Sequence, residues 1–288
     1  MGNICPACSR ENNQFNKFVI SQGKRGETYW QKCNWCNSYF STADYNTEKE
    51  KIYTFTETAY GAEKSGIELN KIKDRMFEHI ASLIESKKPA PAKLLDIGCS
   101  YGGFINKMKN LGYDVEGFDI IASAVSYVVE TFKIKAEESS SILEYDKNFE
   151  KHFDIVTVLD CNYYWDDQLT EIKEIFKRLQ SKGILVMRIA DKSKYLTAGK
   201  FIKSFSNSVG QAIMRRSVND HRFSMPLKSF LILLKNSGFQ IENISANAAI
   251  YSSNTKWLVK LFFILGDIIR KATGINFSPG LVVIARKK

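Results

Sequence analysis

Four cysteines near the start of the chain have types and spacing that could bind a metal ion. They form two pairs, Cys5 and Cys8 in "CPAC" and Cys33 and Cys36 in "CNWC", with 24 residues between the pairs. Zinc is held by four ligands in a tetrahedron, and each CxxC turn can present two thiolates to one ion. Four cysteine ligands leave no open position for catalysis, so we expect a structural zinc. Two disulfides or unrelated thiols are the alternative, which a reducing compartment disfavours.

A glycine-rich turn, "LLDIGCSYGGF" at residues 94–104, is the second feature that could do chemistry. A turn of this kind between a strand and a helix offers free backbone N–H groups and close approach to a ligand. A P-loop would carry Gly-Lys-Ser/Thr after the glycines, and this turn has no Lys. A dinucleotide fingerprint needs GxGxxG, but Ser100 interrupts that spacing. The turn therefore disfavours both ATP hydrolysis and dinucleotide binding.

The elements that must position these residues alternate between strand-like and helix-like patterns from Leu94 onward. The strand-like segments are "KLLDIG", "YDVEGFDI", "KIKAEE", "FDIVTVLD" and "GILVMRIA", and the helix-like segments between them are "GGFINKMKNL", "SAVSYVVETFK" and "DDQLTEIKEIFKRLQSKG". Such alternation predicts an α/β fold with a parallel sheet and helices on both faces. Before it, "KFVISQ" and "ETYWQKC" read as short strands that bring the cysteine pairs together. An apolar stripe predicts a helix ahead of the "KKPAPAK" linker, and its members are Ile67, Ile72, Met76, Phe77, Ile80 and Ile84.

The alternation breaks at residues 191–225, which we interpret as an insertion. Six Lys or Arg and no acid lie between Asp191 and Asp220. A helix "PLKSFLILLKNSG" and two strands, "FQIENISANAAI" and "GLVVIARKK", follow. Between those strands, residues 255–273 predict an amphipathic helix with a wide apolar face. We expect it first to cover the sheet; a homodimer face or a place in a membrane interface are the alternatives.

The glycine turn resembles the first motif of class I S-adenosylmethionine-dependent methyltransferases, Asp-x-Gly-x-Gly/Ser-x-Gly, here with Asp96, Gly98, Ser100 and Gly102. The resemblance covers roughly residues 94–288. It implies a Rossmann-like seven-stranded sheet whose last strand is antiparallel. The domains would then be a zinc-ribbon-like segment at 1–50, a helical lead and linker at 51–92, and a methyltransferase domain at 93–288.

The resemblance implies a cofactor site at the ends of the first, second and fourth strands of that sheet. Asp119 follows the first glycine by about 20 residues, where a carboxylate can accept both ribose hydroxyls. An acid at the position of Asp96 can bind the cationic side of the cofactor. The residues assigned to the cofactor are Asp96, Gly98, Cys99, Ser100, Gly102, Gly103, Asp119, Ile120, Asp160 and Cys161.

The chain is similar to a subgroup near ubiquinone-type and sugar methyltransferases, which implies small molecules or nucleotide-linked sugars as acceptors. We expect O-methylation of a sugar, a nucleotide sugar or a natural-product-type acceptor, and basic residues of the insertion could bind a phosphate on it. Where that subgroup has Glu-His after the fourth strand, this chain has Tyr163 and Tyr164. His221 is a candidate base for a hydroxyl, and Tyr164 a candidate to orient it. The residues assigned to the acceptor are Tyr60, Tyr163, Lys200, Arg215 and Arg216.

Composition leaves two rival functions open. Hydrophobic residues at 44% and charged residues at 25% exclude wholesale disorder, and a net charge of +10 suits an anionic partner. An RNA methyltransferase is one rival, although the ribbon lacks the interleaved basic and aromatic residues of RNA platforms. A non-catalytic module that binds a membrane or a partner is the other. No secretory signal and no membrane-spanning run is predicted, so we expect a cytoplasmic protein, with peripheral contact at the inner membrane face as a further expectation.

Overall fold

A computed structural model describes most of the 288-residue chain. The described residues are 4–11, 17–21, 27–41, 63–145, 152–218, 221, 223–246, 257–273 and 280–288. The strands are β1 (Phe18–Ser21), β2 (Glu27–Lys32), β3 (Tyr39–Ser41), β4 (Lys93–Ile97), β5 (Asp114–Asp119), β6 (Lys135–Glu138), β7 (Phe153–Leu159), β8 (Leu179–Ala190), β9 (Phe223–Ser224), β10 (Phe239–Ala246) and β11 (Gly280–Lys287). The helices are α1 (Glu63–Glu85), α2 (Gly103–Asn110), α3 (Ala122–Phe132), α4 (Ile142–Tyr145), α5 (Gln168–Arg178), α6 (Ser193–Lys203), α7 (Asn207–Val218), α8 (Leu227–Asn236) and α9 (Trp257–Thr273).

Seven strands form the central sheet, in the order β10-β11-β8-β7-β4-β5-β6. The strands from β8 to β6 in this order pair in parallel, whereas β11 is antiparallel to both β8 and β10. This is the predicted Rossmann-like seven-stranded sheet with an antiparallel last strand. Because the parallel strands all end at one edge, the loops after β4, β5 and β7 meet there.

Successive residues of β4 belong to two separate hydrophobic cores, one on each face of the sheet. Leu94 belongs to a core on the α1 side of the sheet, where Met76, Ile80 and Ile84 are buried. Leu95 belongs to the core on the opposite face, which also contains Ile172 and Ile175 of α5, among others. The period of two along a strand explains this division, because successive side chains point to opposite faces. One residue of the predicted α1 stripe, Ile72, is exposed instead.

Helix α5 ends earlier than its sequence pattern predicts. The pattern extends to Gly183, but the helix ends at Arg178 and Leu179 already pairs with Phe153 in the sheet. The Asp167 side chain begins the helix by accepting a hydrogen bond from the Thr170 amide.

A second, four-stranded sheet has the order β1-β2-β3-β9. Its first three strands come from the N-terminal segment, but β9 comes from the insertion and pairs with β3 through Phe40 and Phe223. Cys5 and Cys33 lie in the same hydrophobic core as the central sheet. The N-terminal segment is therefore joined to the rest of the protein by both hydrogen bonds and apolar contact. The division at residues 50 and 92 stays a prediction.

The insertion contains two helices, α6 and α7, whose start is tied to that of α8 by one buried carboxylate. Asp191 Oδ1 accepts hydrogen bonds from the amide and hydroxyl of Ser193, and its Oδ2 accepts one from the Leu227 amide at 3.0 Å. Amides in the first turn of a helix lack a partner within the helix, so a shared acceptor stabilises both ends. The insertion therefore leaves and rejoins the main fold beside the carboxyl end of β8.

Candidate active site

The glycine turn between β4 and α2 is a tight loop at the carboxyl edge of the sheet. Gly98 has a φ of +74°, and a Cβ added there would lie 2.8 Å from the Cβ and Sγ of Cys161. Only glycine meets both conditions, since L side chains rarely adopt this backbone conformation and have no space here. The turn thus brings β4 and the end of β7 into direct contact.

Asp119, at the end of β5, holds this turn in place. Its Oδ2 accepts a hydrogen bond from the Ser100 amide at 2.8 Å, and its Oδ1 accepts one from the Ile121 amide at 3.0 Å. Burial raises the pKa of Asp119, an effect that these amides oppose. A carboxylate has about four acceptor positions, so Asp119 retains capacity for two further donors. That capacity fits a ribose diol.

Asp96 is a second buried acid, at the end of β4. Its Oδ1 accepts a hydrogen bond from Thr157 Oγ1 at 2.6 Å. Burial raises the pKa of Asp96 from 3.8 to about 7; the Thr157 hydrogen bond opposes this shift, and the nearby Asp119 charge adds to it. A buried carboxyl with a raised pKa favours a ligand that brings a positive charge, because a nearby cation stabilises the ionised form. The acid pair therefore fits a cationic ligand with a ribose, as the resemblance implies.

The two cysteines at this edge are not nucleophiles. Burial raises the pKa of the Cys99 and Cys161 thiols well above the usual value, so both stay protonated. Cys161 Sγ lies 3.1 Å from the Ile97 carbonyl oxygen, to which it donates. Both side chains therefore serve as small groups that shape the loops.

The structure brings the residues assigned to the cofactor to one edge, at the ends of β4, β5 and β7. They are Asp96, Gly98, Cys99, Ser100, Gly102, Gly103, Asp119, Ile120, Asp160 and Cys161. Asp160 forms ion pairs with Arg188 of β8 and, at 3.6 Å, with Lys73 of α1. Its place beside Cys161 therefore depends on two cations from other elements.

Three residues of this edge were missed by the sequence reasoning. Lys73 and Arg188 hold Asp160, and Asn70 of α1 donates to the Tyr101 carbonyl at 3.0 Å. A Cβ on Gly103 would lie 2.5 Å from Asn70, so α1 covers the glycine turn closely. A lone Arg in the apolar run "GILVMRIA" is a signal that could have found Arg188. Nothing in the pattern of α1 distinguishes Asn70 or Lys73 from ordinary polar positions.

A pocket opens on the far side of Cys161, between the ends of β7 and β8 and the insertion. Its lining residues are Asn162, Tyr163, Gln168, Ile189, Ala190, Phe223, Met225 and Phe230. Asn162 is 4% exposed, and its Nδ2 donates to Gln168 Oε1 at 2.9 Å. The buried Oδ1 of Asn162 has no hydrogen-bond partner. A buried acceptor of this kind fits a ligand that donates a hydrogen bond, because leaving it unsatisfied is costly.

His221 lies against this pocket through Tyr163. The two rings are stacked, with centroids 3.7 Å apart and an interplanar angle of 17°. Tyr164 packs edge-on against Tyr163, with centroids 4.7 Å apart. The structure thus brings together Tyr163, Tyr164 and His221, which come from separate parts of the sequence.

The basic residues assigned to the acceptor lie elsewhere. Lys200 Nζ is 4.5 Å from the centroid of the Phe18 ring in β1, which places it against the N-terminal sheet. Arg215 and Arg216 are exposed in the last turn of α7, and neither lines the pocket formed by the described residues. Tyr60 lies outside the described residues.

The four N-terminal cysteines converge on one point. Their Sγ atoms all lie within 4.8 Å of one another, with 3.7 Å between Cys5 and Cys36 and 3.8 Å between Cys8 and Cys33. Thiolates 2.3 Å from a central ion in a tetrahedron are about 3.8 Å apart, whereas a disulfide requires about 2.05 Å. The geometry therefore fits a four-coordinate metal site and not a disulfide pair.

The first cysteine turn is docked onto the start of α5, beside the pocket. The Gln168 amide donates to the Pro6 carbonyl at 2.9 Å, and Ser9 Oγ donates to Asp167 Oδ1 at 2.5 Å. Gln168 also lines the pocket, and its Nε2 contacts Met225 Sδ at 3.7 Å. The cysteine cluster and the pocket are thus linked by a short chain of contacts.

Comparison with known proteins decides the family of this fold. The family model of a methyltransferase domain matches residues 69–244, which include the glycine turn, both buried acids and most of the pocket. The chain belongs to this methyltransferase family. It is an S-adenosylmethionine-dependent methyltransferase.

Relatives of this methyltransferase are distant in sequence. It is 22% identical over 199 residues to YqeM of Bacillus subtilis (strain 168), a protein named as a methyltransferase, with 57% of this chain and 80% of YqeM covered. The plantazolicin methyltransferase BamL, solved with a triazolic desmethylPZN analog and SAH, shares the fold at a TM-score of 0.51 and 16% identity, over 84% of this chain and 97% of BamL. A SAM-dependent methyltransferase of Thermotoga maritima shares the fold at a TM-score of 0.50 and 13% identity, over 82% of this chain and 99% of that protein.

Each helix in the described part of the methyltransferase is too short or too polar to span a bilayer. The subgroup near ubiquinone-type and sugar methyltransferases stays a prediction.

Proposed function

We propose that this methyltransferase transfers the methyl group of S-adenosylmethionine to an oxygen of a small acceptor, such as a sugar, a nucleotide sugar or a natural-product-type ring. The observation that carries the proposal is the pocket beside Cys161. It is largely apolar and aromatic, yet it contains the buried Asn162 Oδ1, and His221 stands behind Tyr163. A ring that bears a hydroxyl satisfies this combination, because its faces pack on the aromatic wall and its O–H donates to the amide.

On the cofactor side, Asp119 would accept hydrogen bonds from the ribose hydroxyls, and Asp96 would stabilise the cationic amino-acid end. Gly98, Gly102 and Gly103 have no side chains, so the turn would leave space for the cofactor to lie against its backbone. The bound cofactor supplies an activated methyl group on a sulfonium. The protein would therefore contribute mainly the alignment of the acceptor oxygen with that methyl group.

On the acceptor side, the reacting hydroxyl is a second one, on a part of the acceptor that reaches past Tyr163; His221 takes its proton as the oxygen attacks, and Tyr164 orients it. The stack with Tyr163 and the hydrogen bond from the His221 amide to the Val218 carbonyl, at 2.7 Å, hold the imidazole in place. Positioned general bases contribute roughly 10²–10⁴ to a rate. Arg215 and Arg216 remain proposed contacts for a phosphate on a larger acceptor that extends beyond the pocket.

His221→Gln is expected to lower kcat by about 100-fold or more, because the amide cannot accept the proton. Affinity for S-adenosylhomocysteine should be unchanged, since His221 is on the acceptor side. The measurement is transfer of a labelled methyl group to a panel of hydroxylated rings, nucleotide sugars and an RNA oligonucleotide. His152→Gln is the matched control, because His152 precedes β7 away from the pocket. An unchanged kcat would remove His221 from the mechanism, and methylation of the RNA alone would replace the proposed acceptor class.

Affinity for S-adenosylhomocysteine is expected to rise about tenfold between pH 6 and pH 8. Asp96, with a pKa near 7, is mostly protonated at the lower pH and ionised at the higher one, and only the ionised form attracts the ligand's ammonium group. Calorimetric titration at several pH values across this range measures how the affinity for S-adenosylhomocysteine changes with pH. Asp96→Asn should abolish this change, and a change that persists in this variant would assign the effect to another group.

We also propose that the cysteine cluster of Cys5, Cys8, Cys33 and Cys36 holds a structural zinc ion. The near-tetrahedral spacing of the sulfur atoms and the absence of an open ligand position support zinc in this role. Through the contacts of Pro6 and Ser9 with α5, the ion would also stabilise one wall of the pocket.

A further inference from the structure

Helix α9 presents its apolar side to solvent. The exposed residues recur with the spacing of a single helix face, and they are Trp257, Leu261, Ile264, Leu265 and Ile268. Trp257 is 70% exposed, and Ile264 and Ile268 are 53% and 56% exposed. Among the α9 residues whose exposure the structure describes, Gly266 and Arg270 are buried. These exposed residues do not pack on the sheet; the expectation that other residues of the wide apolar face cover it stays a prediction.

The inner side of α9 is anchored by polar contacts. Arg270 Nη2 donates to the Ile244 carbonyl of β10 at 2.9 Å and to Asp267 at 2.7 Å. Lys271 forms a further ion pair with Asp267 at 3.0 Å. The bond to the Ile244 carbonyl leaves the helix and turns the Arg270 side of α9 toward β10, while the two contacts of Asp267 lie within the helix. The outward direction of the apolar stripe therefore follows from this hydrogen bond to the fold.

The position of α9 in the topology places it at the active-site edge. It connects the end of β10 to the start of β11, and Gly280, the first residue of β11, pairs with Ala190 at the carboxyl end of β8. Ala190 also lines the proposed acceptor pocket. The strand β10 thus ends, and β11 begins, at the edge of the sheet where the pocket lies.

The segments that connect to this edge are rich in basic residues. The insertion, which also starts from the carboxyl end of β8, carries six basic residues and no acid between Asp191 and Asp220. It adds a pair of exposed aromatic rings, Phe201 and Phe205, at 68% and 79% exposure. Near the start of α9 the sequence has Lys256 and Lys260. A sequence that combines apolar and basic residues in this way is typical of segments that lie on anionic lipid.

We propose that α9 lies in the interface of an anionic lipid bilayer, with the stripe of Trp257, Leu261, Ile264, Leu265 and Ile268 among the acyl chains. A helix of 17 residues is about 26 Å long and suits an orientation in the membrane plane. Trp257 at one end matches the preference of indole for the headgroup region. A second copy of the chain is a poorer occupant, because it would bring two surfaces of a protein with a net charge of +10 together. The pocket would then open toward amphiphilic acceptors that reside in the membrane.

The test is flotation of the full chain with vesicles of phosphatidylcholine, with and without phosphatidylglycerol. We expect binding to the anionic vesicles, weaker binding to the neutral ones, and release as salt rises from 0.1 M to about 0.5 M because the charges are screened. The double variant Ile264→Ser, Ile268→Ser should bind at least about tenfold more weakly, since two apolar side chains no longer enter the acyl region.

The matched control makes the same two changes elsewhere. Ile72 of α1 and Ile232 of α8 are 60% and 49% exposed, so Ile72→Ser, Ile232→Ser removes equal apolar surface from other faces. It should bind vesicles as the unchanged protein does. Titration with S-adenosylhomocysteine confirms that each variant is folded and keeps the outcome separate from that of the proposed reaction.

Three results would overturn the proposal. The first is no binding to anionic vesicles by a folded protein. The second is vesicle binding that the α9 variant leaves unchanged, because the lipid surface would then lie elsewhere. The third is a dimer in solution that the α9 variant dissociates while vesicle binding is absent, because the stripe would then be covered by a second copy.

Discussion

Replacement of Asp119 by Asn is expected to weaken binding of S-adenosylhomocysteine by about 100-fold or more. Hydrogen bonds to a charged acceptor contribute about 1.5–3 kcal/mol each, and the ribose would make two of them. The amide keeps the size of the side chain but loses the charge, and its nitrogen faces the Ser100 or Ile121 amide as a second donor. Both the ligand and the turn that receives it are affected, so the change should be the largest of any single substitution at this edge.

Calorimetric titration measures the loss, and Asp114→Asn provides the control. Asp114 is the first residue of the same strand, β5, and is exposed at the opposite edge of the sheet. The same chemical change there should leave the affinity as it was. If Asp119→Asn bound the ligand with unaltered affinity, the assignment of the cofactor to this edge would be wrong.

Removal of the metal is expected to have the second largest effect, this time on structure. Structural zinc supplies about 10–16 kcal/mol in small zinc-binding peptides, and the strands β1, β2 and β3 are short. Cys33→Ser should therefore abolish the stoichiometric zinc of the purified protein and loosen the N-terminal sheet. The effect should extend to α5, because the Gln168 amide is held by the Pro6 carbonyl of the first cysteine turn.

Hydrogen exchange at Gln168 is the most direct readout of that linkage. As the first residue of α5, Gln168 has no acceptor for its amide within the helix, so loss of the Pro6 contact should speed its exchange by at least about tenfold. Amides of β4 should keep their protection, and so should the affinity for S-adenosylhomocysteine. Cys99→Ser is the control, since Cys99 is a buried cysteine outside the cluster and its loss should leave one zinc per chain. Full zinc content in Cys33→Ser, or unchanged exchange at Gln168, would contradict the prediction.

The parallel sheet was predictable because its signals are local. The strands β4, β7 and β8 contain apolar runs, and the helices α2, α3 and α5 have their own apolar stripes, so periodicity alone identifies them. The strand β6, with the sequence KAEE, is polar, and only its place in the alternation indicated it. The early end of α5 at Arg178 has a tertiary cause. Leu179 is captured by pairing with Phe153 of β7, and this pairing overrides the helical pattern that continues to Gly183.

The acceptor side was only partly predictable, because its members come from distant segments. Tyr163 and His221 were each candidates, but their stacking depends on the insertion returning to the sheet through β9. Lys200 was assigned to the acceptor from charge alone, and it lies against Phe18 instead. Charge and residue type carry no information about direction, so a surface lysine and a binding lysine look alike in a sequence.

By itself, the sequence determined the order of the main strands and helices of the central sheet, the glycine turn with Asp96 and Asp119, and a cysteine set suited to a metal ion, because each is written in residue types at short, regular spacing. Only the tertiary structure decided which distant residues contact these features and which way α9 faces. It placed Asn70, Lys73 and Arg188 around the turn, docked the first cysteine turn on α5, and directed the apolar stripe of α9 outward. Those contacts join residues far apart in the chain, and their geometry arises only when the sheet has brought the loops to one edge.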